Sequence, residues 1–77
     1  MASNERIVLE IGFDGGQIMG ARVTSESADK LETALGRGDD GSVALDADDG
    51  RYTIHLRRVV YVKRLTRESR LGFSSSA

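Results

Sequence analysis

The spacing of the apolar residues changes twice along the chain, and this constrains the fold more than any other feature. In "RIVLEIGF", residues 6–13, apolar side chains alternate with a period of two, which is typical of a β-strand. The turn signal "FDGGQ" follows, and "QIMGARV" alternates again, so the chain is predicted to open with a β-hairpin. Beyond it, Ala28, Leu31 and Leu35 fall at the spacing of one helix face.

The ends of this helix are indicated by residue types that suit free backbone groups. Thr24 is a good N-cap, because its hydroxyl can accept a hydrogen bond from a backbone N–H of the first turn. Glu26 would lie in that turn, where the helix dipole favours a negative charge. Gly36 follows the last apolar residue, the place where a helix commonly ends, and either Gly36 or Gly38 is expected to cap the helix. The sequence therefore predicts about three turns of helix, an ordinary length for globular proteins.

The second half of the chain returns to the period of a strand. "SVALDADDGRYTIHL" predicts another hairpin, with its turn at Asp49-Gly50. "RRVVYVKRL" predicts a fifth strand that is apolar on both faces, so its second face needs a cover. The alternation puts Val60 and Val62 on one face of this strand, and it puts on the other Val59, Tyr61, Lys63 and Leu65. The tail could return as a short sixth strand through Leu71 and Phe73.

The predicted order is β-β-α-β-β-β, which belongs to the α+β class. The simplest two-layer arrangement is an antiparallel sheet of five to six strands with one helix on one face. A small half-closed β-barrel with one helix is the alternative. One domain is expected over residues 1–73, and residues 74–77 are expected to be a disordered tail.

Length and composition limit how such a domain can be stabilised. The chain has 77 residues, no cysteine and one histidine, which excludes disulfides and makes a zinc site improbable. A domain of this size builds a thin core, so self-association, with a dimer favoured, is the expected support. Without a leader of signal-peptide type or a run of roughly 20 apolar residues, a cytoplasmic protein that does not enter membranes is expected.

Charge is distributed unevenly although the net charge is only −1. Residues 26–49 contain eight acidic and two basic residues, whereas residues 51–70 contain seven basic and one acidic residue. A dipolar surface of this kind can steer partners or pair unlike ends of two subunits. The other interpretation is that the domain balances its own charges.

The strand-helix-strand order resembles a group of small bacterial proteins. A hairpin, then "VTSESADKLETAL", an acidic "DG" turn and "IHLRRVVYVKRLTRESRLGF" resemble small uncharacterised proteins of high-GC, actinobacterial-type genomes. In those chains a V-V-Y-V strand is followed shortly by an ending of V/L-G-F type. The resemblance implies a stand-alone bacterial domain and implies no activity, cofactor or site residue.

Two short motifs resemble ligand-binding sites, but the residues around them do not fit such sites. Residues 36–41, "GRGDDG", match G-x-G-x-x-G, but a predicted helix precedes them and a predicted strand follows, the reverse of a dinucleotide site. "DADDG" resembles a calcium loop, but its glycine comes one position early and Arg57 occupies the twelfth position. The aspartates are interpreted as turn residues, so neither a cofactor nor a metal site is predicted.

Catalysis is not predicted either. His55 lies on the strand face opposite to Ile54 and Leu56, and neither a cysteine nor a second histidine accompanies it. The many carboxylates fall in exposed turns, where nothing would raise a pKa. A chain of this length offers little room for a cavity of the roughly 300 Å³ that ligand sites need. The sequence predicts no enzyme and no small-molecule substrate.

The favoured hypothesis is a non-catalytic module that binds another protein or a second copy of itself. Its interface candidates are the apolar residues of the last strand and tail, Val59, Tyr61, Leu65 and Phe73. The alternative is nucleic-acid binding along the basic segment 57–70, where a tyrosine could stack a base while cations follow the phosphates. The candidates for that role are Arg57, Arg58, Lys63, Arg64 and Arg67.

Overall fold

One helix packs against a five-stranded antiparallel sheet in the computed structural model, which describes residues 5–65. In chain order the elements are β1 Arg6–Phe13, β2 Ile18–Thr24, α1 Ser25–Gly36, β3 Ser42–Ala47, β4 Gly50–His55, a 3-10 helix Leu56–Arg58 and β5 Val59–Leu65. The spatial order is β4-β3-β2-β1-β5. The α+β prediction is confirmed. The suggested sixth strand, the domain limit at residue 73 and the tail lie outside the described residues.

The sheet curves strongly, because its two edge strands follow each other in the chain. Four residue steps separate His55 at the end of β4 from Val59 at the start of β5, a reach of at most about 14 Å. A flat sheet of five strands would hold its edges about 19 Å apart. Backbone hydrogen bonds hold both ends of this connection, since the Leu56 N–H donates to the Gly41 carbonyl at 3.0 Å and the Asp14 N–H donates to the Arg58 carbonyl at 2.9 Å. Within residues 5–65 the edges do not pair, so the sheet does not close into a barrel.

The sheet consists of two parts that meet at one residue pair. The ladder of β2, β1 and β5 is long, whereas β2 pairs with β3 only through Val23 and Ala47. A side chain of α1 reinforces this junction. The hydroxyl of Ser27, which is buried, accepts a hydrogen bond from the Asp46 N–H at 2.9 Å. The helix therefore holds the β3–β4 hairpin through a polar contact as well as through apolar packing.

The helix begins and ends as its sequence indicates. Thr24 is the N-cap, and its hydroxyl oxygen accepts from the Ser27 N–H at 3.1 Å. At the other end the Gly38 and Asp39 N–H groups donate back to carbonyls of the last turn, with Gly38 at a φ of 76°. This is a Schellman arrangement, and it requires a glycine at the left-handed position. The helix stop therefore depends on Gly38 rather than on Gly36.

The core lies between α1 and one face of the sheet. Its buried side chains come from every strand except β5 and from the helix: Leu9, Ile11, Val23, Ala28, Leu31, Ala34, Leu45, Ile54 and Leu56. The alternating pattern predicted these sheet positions, and the helical spacing predicted Ala28 and Leu31. Leu56 was predicted to continue β4, but it begins the 3-10 helix. Its burial anchors that short connection to the core.

A bulge near the start of β5 changes which side chains share a face. Gly12 is opposite Tyr61, but Phe13 is opposite Val59, so Val60 is an extra residue without a partner on β1. As a result Val59 and Val62 pack against the core, while Val60 is 67% exposed. The prediction that Val59 shares a face with Tyr61 is wrong, because simple alternation does not include the extra residue.

Candidate functional site: an exposed sheet face and its edge strand

The face of β1, β2 and β5 that α1 leaves uncovered is the most apolar exposed surface among residues 5–65; we call it the open face. Side chains opposite each other in an antiparallel ladder share a face, so the register defines three rows across it. The rows, each written from β2 through β1 to β5, are Ile18-Gly12-Tyr61, Gly20-Glu10-Lys63 and Arg22-Val8-Leu65. Apolar groups thus occupy the two outer rows, and a charged row separates them.

Four large apolar side chains of the open face are accessible to solvent. Ile18 is 63% exposed, and the exposed fractions of Val8, Tyr61 and Leu65 lie between 38% and 40%. When a partner removes such side chains from water, the free energy falls by roughly 25 cal/mol per Å² of apolar surface buried. Grouped exposed apolar side chains of this kind are typical of interaction surfaces.

Tyr61 is held in a defined position on this face. Its ring lies directly over Gly12, where a Cβ would overlap the ring atoms. Its hydroxyl donates to Glu10 Oε2 at 2.6 Å. The hydrogen bond to this carboxylate, followed by partial desolvation and the carboxylate charge, raises the pKa of Tyr61. The ring is therefore positioned before any partner arrives, which lowers the entropic cost of using it as an anchor.

The outer edge of β5 adjoins the open face. β5 has seven residues and is an edge strand of the sheet, so one side of its backbone is unpaired within residues 5–65. Unpaired N–H and C=O groups along an edge can accept a further strand. Val60 projects from the same strand at the bulge. The open face and this edge together offer both apolar contact and backbone hydrogen bonds.

The predicted interface residues divide between this site and the rest of the molecule. Tyr61 and Leu65 lie on the open face, whereas Val59 packs against the core, and Phe73 lies outside the described residues. Sequence reasoning missed Val8 and Ile18. Val8 offered a signal, since it is the apolar residue that interrupts the alternation in β1. Ile18 precedes the apolar positions of β2 that face the core. Because side chains alternate along a strand, it could have been assigned to the opposite face, with Gly20 and Arg22.

The predicted nucleic-acid residues do not form one surface. Arg64 is opposite Leu9 and therefore points to the helix side of the sheet. There its guanidinium contacts Asp29 at 2.6 Å and Glu32 at 2.8 Å. The hydrogen bonds to Glu32 and then Asp29 raise the pKa of Arg64 above its already high value. Lys63 lies on the opposite face, in the charged row of the open face.

The remaining basic candidates lie at the connection between β4 and β5. Arg58 contacts Asp14 at 3.3 Å, while Arg57 has no ion pair within the described part of the chain. Both line a surface cavity of about 560 Å³ together with His55 and Asp14. An adjoining cavity of about 300 Å³ has Phe13 and Ile54 among its lining residues. These cavities are larger than the sequence predicted, although exposed side chains line most of them. Arg67 lies outside the described residues.

Most of the aspartates of the turns are engaged by neighbouring side chains. Asp48 contacts both Arg6 and Arg22 at 3.5 Å, and Asp46 contacts Arg51 at 3.4 Å. Asp49 accepts a hydrogen bond from the Tyr52 hydroxyl at 2.8 Å. Across residues 5–65 no group of three or more potential metal ligands occurs, and no helix has the length and apolarity that crossing a bilayer requires. Much of the charge asymmetry is thus balanced within the domain.

Comparisons of the chain with protein-family models, with curated proteins and with solved structures find no match. The resemblance to small actinobacterial-type proteins therefore stays a prediction, and the surfaces described above are the basis for a proposed function.

Proposed function

We propose that this protein is a non-catalytic interaction module that associates with a second copy of itself through the open face and the adjoining edge of β5. The observation that carries the proposal is the grouping of exposed apolar side chains on one face beside β5, an edge strand of the sheet formed by residues 5–65. These side chains are Val8, Ile18, Tyr61 and Leu65. Aromatic and aliphatic side chains of this kind contribute most of the free energy in protein interfaces.

The size of the domain supports the same proposal. Within residues 5–65, nine buried apolar residues form the core, and the chain has no cysteine that could form a disulfide. Small domains with so limited a core commonly gain stability from a partner subunit. Burying the outer rows of the open face would extend the apolar interior to a second side of the sheet.

Light scattering coupled to size-exclusion chromatography tests the proposal. The wild type should elute as a dimer at micromolar concentration, and Ile18→Lys and Leu65→Lys should shift the mass toward the monomer. Thr33→Lys, on the exposed side of α1, is the matched control and should keep the dimer. A monomeric wild type at the highest soluble concentration would rule out self-association.

Nucleic-acid binding is a second candidate, which one observation favours. Arg57, Arg58 and His55 line the same cavity, so a phosphate placed there would meet several donors. The net charge of −1 and the engagement of Arg64 by the helix oppose extended binding along β5. Fluorescence anisotropy with a labelled single-stranded RNA at low salt would detect binding. Arg57→Ala should then abolish it, while Arg51→Ala should not.

A further inference from the structure

The unpaired edge of β5 is self-complementary in one register. Its seven residues run from Val59 to Leu65, with apolar side chains in the first half and cationic ones near the end. When such a strand meets a second copy in the antiparallel direction, the apolar half of each copy lies beside the cationic half of the other. In the antiparallel direction this layout keeps the like charges of the two copies apart.

We propose that two copies pair through β5 in the antiparallel direction, about a two-fold axis at Val62, so that their sheets form one continuous sheet of ten strands. The inference rests on the self-association proposed above and adds the edge, the direction and the register. An axis normal to the sheet keeps both open faces on the same side. In this geometry odd-numbered residues of one β5 are opposite odd-numbered residues of the other, and even-numbered residues are opposite even-numbered ones.

The Val62 axis is favoured over its neighbours by charge. It places Tyr61 opposite Lys63 of the second copy, while the bulge at Val60 takes Val59 out of the alignment. An axis at Lys63 would place two ammonium groups directly opposite each other, which is destabilising. An axis at Tyr61 would bring the like charges of Arg58 and Arg64 opposite each other, which is also destabilising. The Val62 axis has neither fault.

The pair of Tyr61 and Lys63 provides the complementarity. Tyr61 donates its hydroxyl hydrogen bond to Glu10, so a carboxylate lies at the tip of the ring on the open face. Lys63 of the second copy would therefore approach an aromatic ring and a carboxylate, both of which attract an ammonium group. The two-fold axis makes this contact twice. Tyr61 of one copy is opposite Lys63 of the other and not opposite Tyr61. A shift of the register would therefore break both of these contacts.

The absence of native cysteine makes the register directly measurable. Val62→Cys would bring its thiol close to the same thiol of the second copy, within the range of Cα separations that allow a disulfide. Mild oxidation should give a covalent dimer at least about ten times faster than with Thr33→Cys, a control on the exposed side of α1. Tyr61→Cys and Lys63→Cys should cross-link when mixed and should do so poorly alone.

The outcomes separate this inference from the proposed function. Rapid cross-linking of Val62→Cys, together with the mixed pair, supports pairing through β5. If the wild type is dimeric by light scattering but Val62→Cys cross-links no faster than Thr33→Cys, the β5 register is overturned and self-association still stands. A monomeric wild type overturns both. Circular dichroism checks that each variant is folded. If Val62→Cys does not fold, the mixture of Tyr61→Cys and Lys63→Cys provides the test.

Discussion

The ring of Tyr61 lies over Gly12, in the place that any other residue at position 12 would fill with its own side chain. The two residues are opposite each other on β5 and β1, so the fit is a cross-strand pair in which one member supplies space and the other fills it. This packing fixes the aromatic ring at the centre of the first row of the open face.

Gly12→Ala should destabilise the fold by about 1–2 kcal/mol, because the added methyl forces the ring of Tyr61 away and breaks its hydrogen bond to Glu10. Urea denaturation followed by circular dichroism measures the change. Gly20→Ala is the matched control, since Gly20 lies on the same face and its Cβ would have no close neighbour. Equal stabilities of the two variants would contradict the packing described.

Tyr61 should titrate above 10.0 in the folded protein, because Glu10 stabilises the neutral phenol. The raised folded pKa means that the contribution to stability is present below about pH 10 and is lost as the pH rises through the folded value. Absorbance of tyrosinate in Tyr52→Phe isolates the group. Adding Glu10→Gln should lower the midpoint, and an unchanged midpoint would exclude the carboxylate as the cause.

Arg64→Ala should cost about 1–2 kcal/mol of stability, because one guanidinium joins β5 to two carboxylates of α1. The loss should shrink as salt is added, since the ion pairs are partly exposed. Arg51→Ala removes a more exposed pair with Asp46 and should cost less than about 0.5 kcal/mol. If both substitutions have the same effect, Arg64 does not clamp the helix.

Ser27→Ala should destabilise the protein by about 1–3 kcal/mol, because it leaves the Asp46 N–H without its acceptor at the junction of the two parts of the sheet. Ser42→Ala, an exposed serine on the same hairpin, should change the unfolding free energy by less than about 0.5 kcal/mol. Amide exchange of Asp46 provides a local readout. Protection of that amide in Ser27→Ala would show that another acceptor replaces the hydroxyl.

The elements of the fold were predictable because each depends on local spacing. The hairpin of β1 and β2 followed from period-two alternation around "FDGGQ", and the helix followed from Thr24 and its apolar stripe. The curvature and the 3-10 helix were not predictable, since they arise when β4 and β5 must occupy opposite edges yet stay four residue steps apart. The bulge at Val60 is also a product of pairing with β1, and it moved Val59 into the core.

The candidate site was only half predictable for the same reason. Tyr61 and Leu65 were found from the two-sided apolar pattern of one strand, but Val8 and Ile18 join them only through the register of three strands. The engagement of Arg64 could not be foreseen, because charge counts along a chain do not reveal which carboxylates of α1 lie within reach.

The pairing of β1 with β5 also determines when this protein can fold during its synthesis. Val8 and Leu65 are opposite each other, so β1 waits for β5, which are the first and the last strand of residues 5–65. Until β5 emerges, β1 has an unsatisfied edge and one side of the core lacks its border. Closing so long a loop is entropically costly and slow compared with local hairpin formation. Pairing of β1 with β5 is therefore a late event that follows the release of β5 from the ribosome.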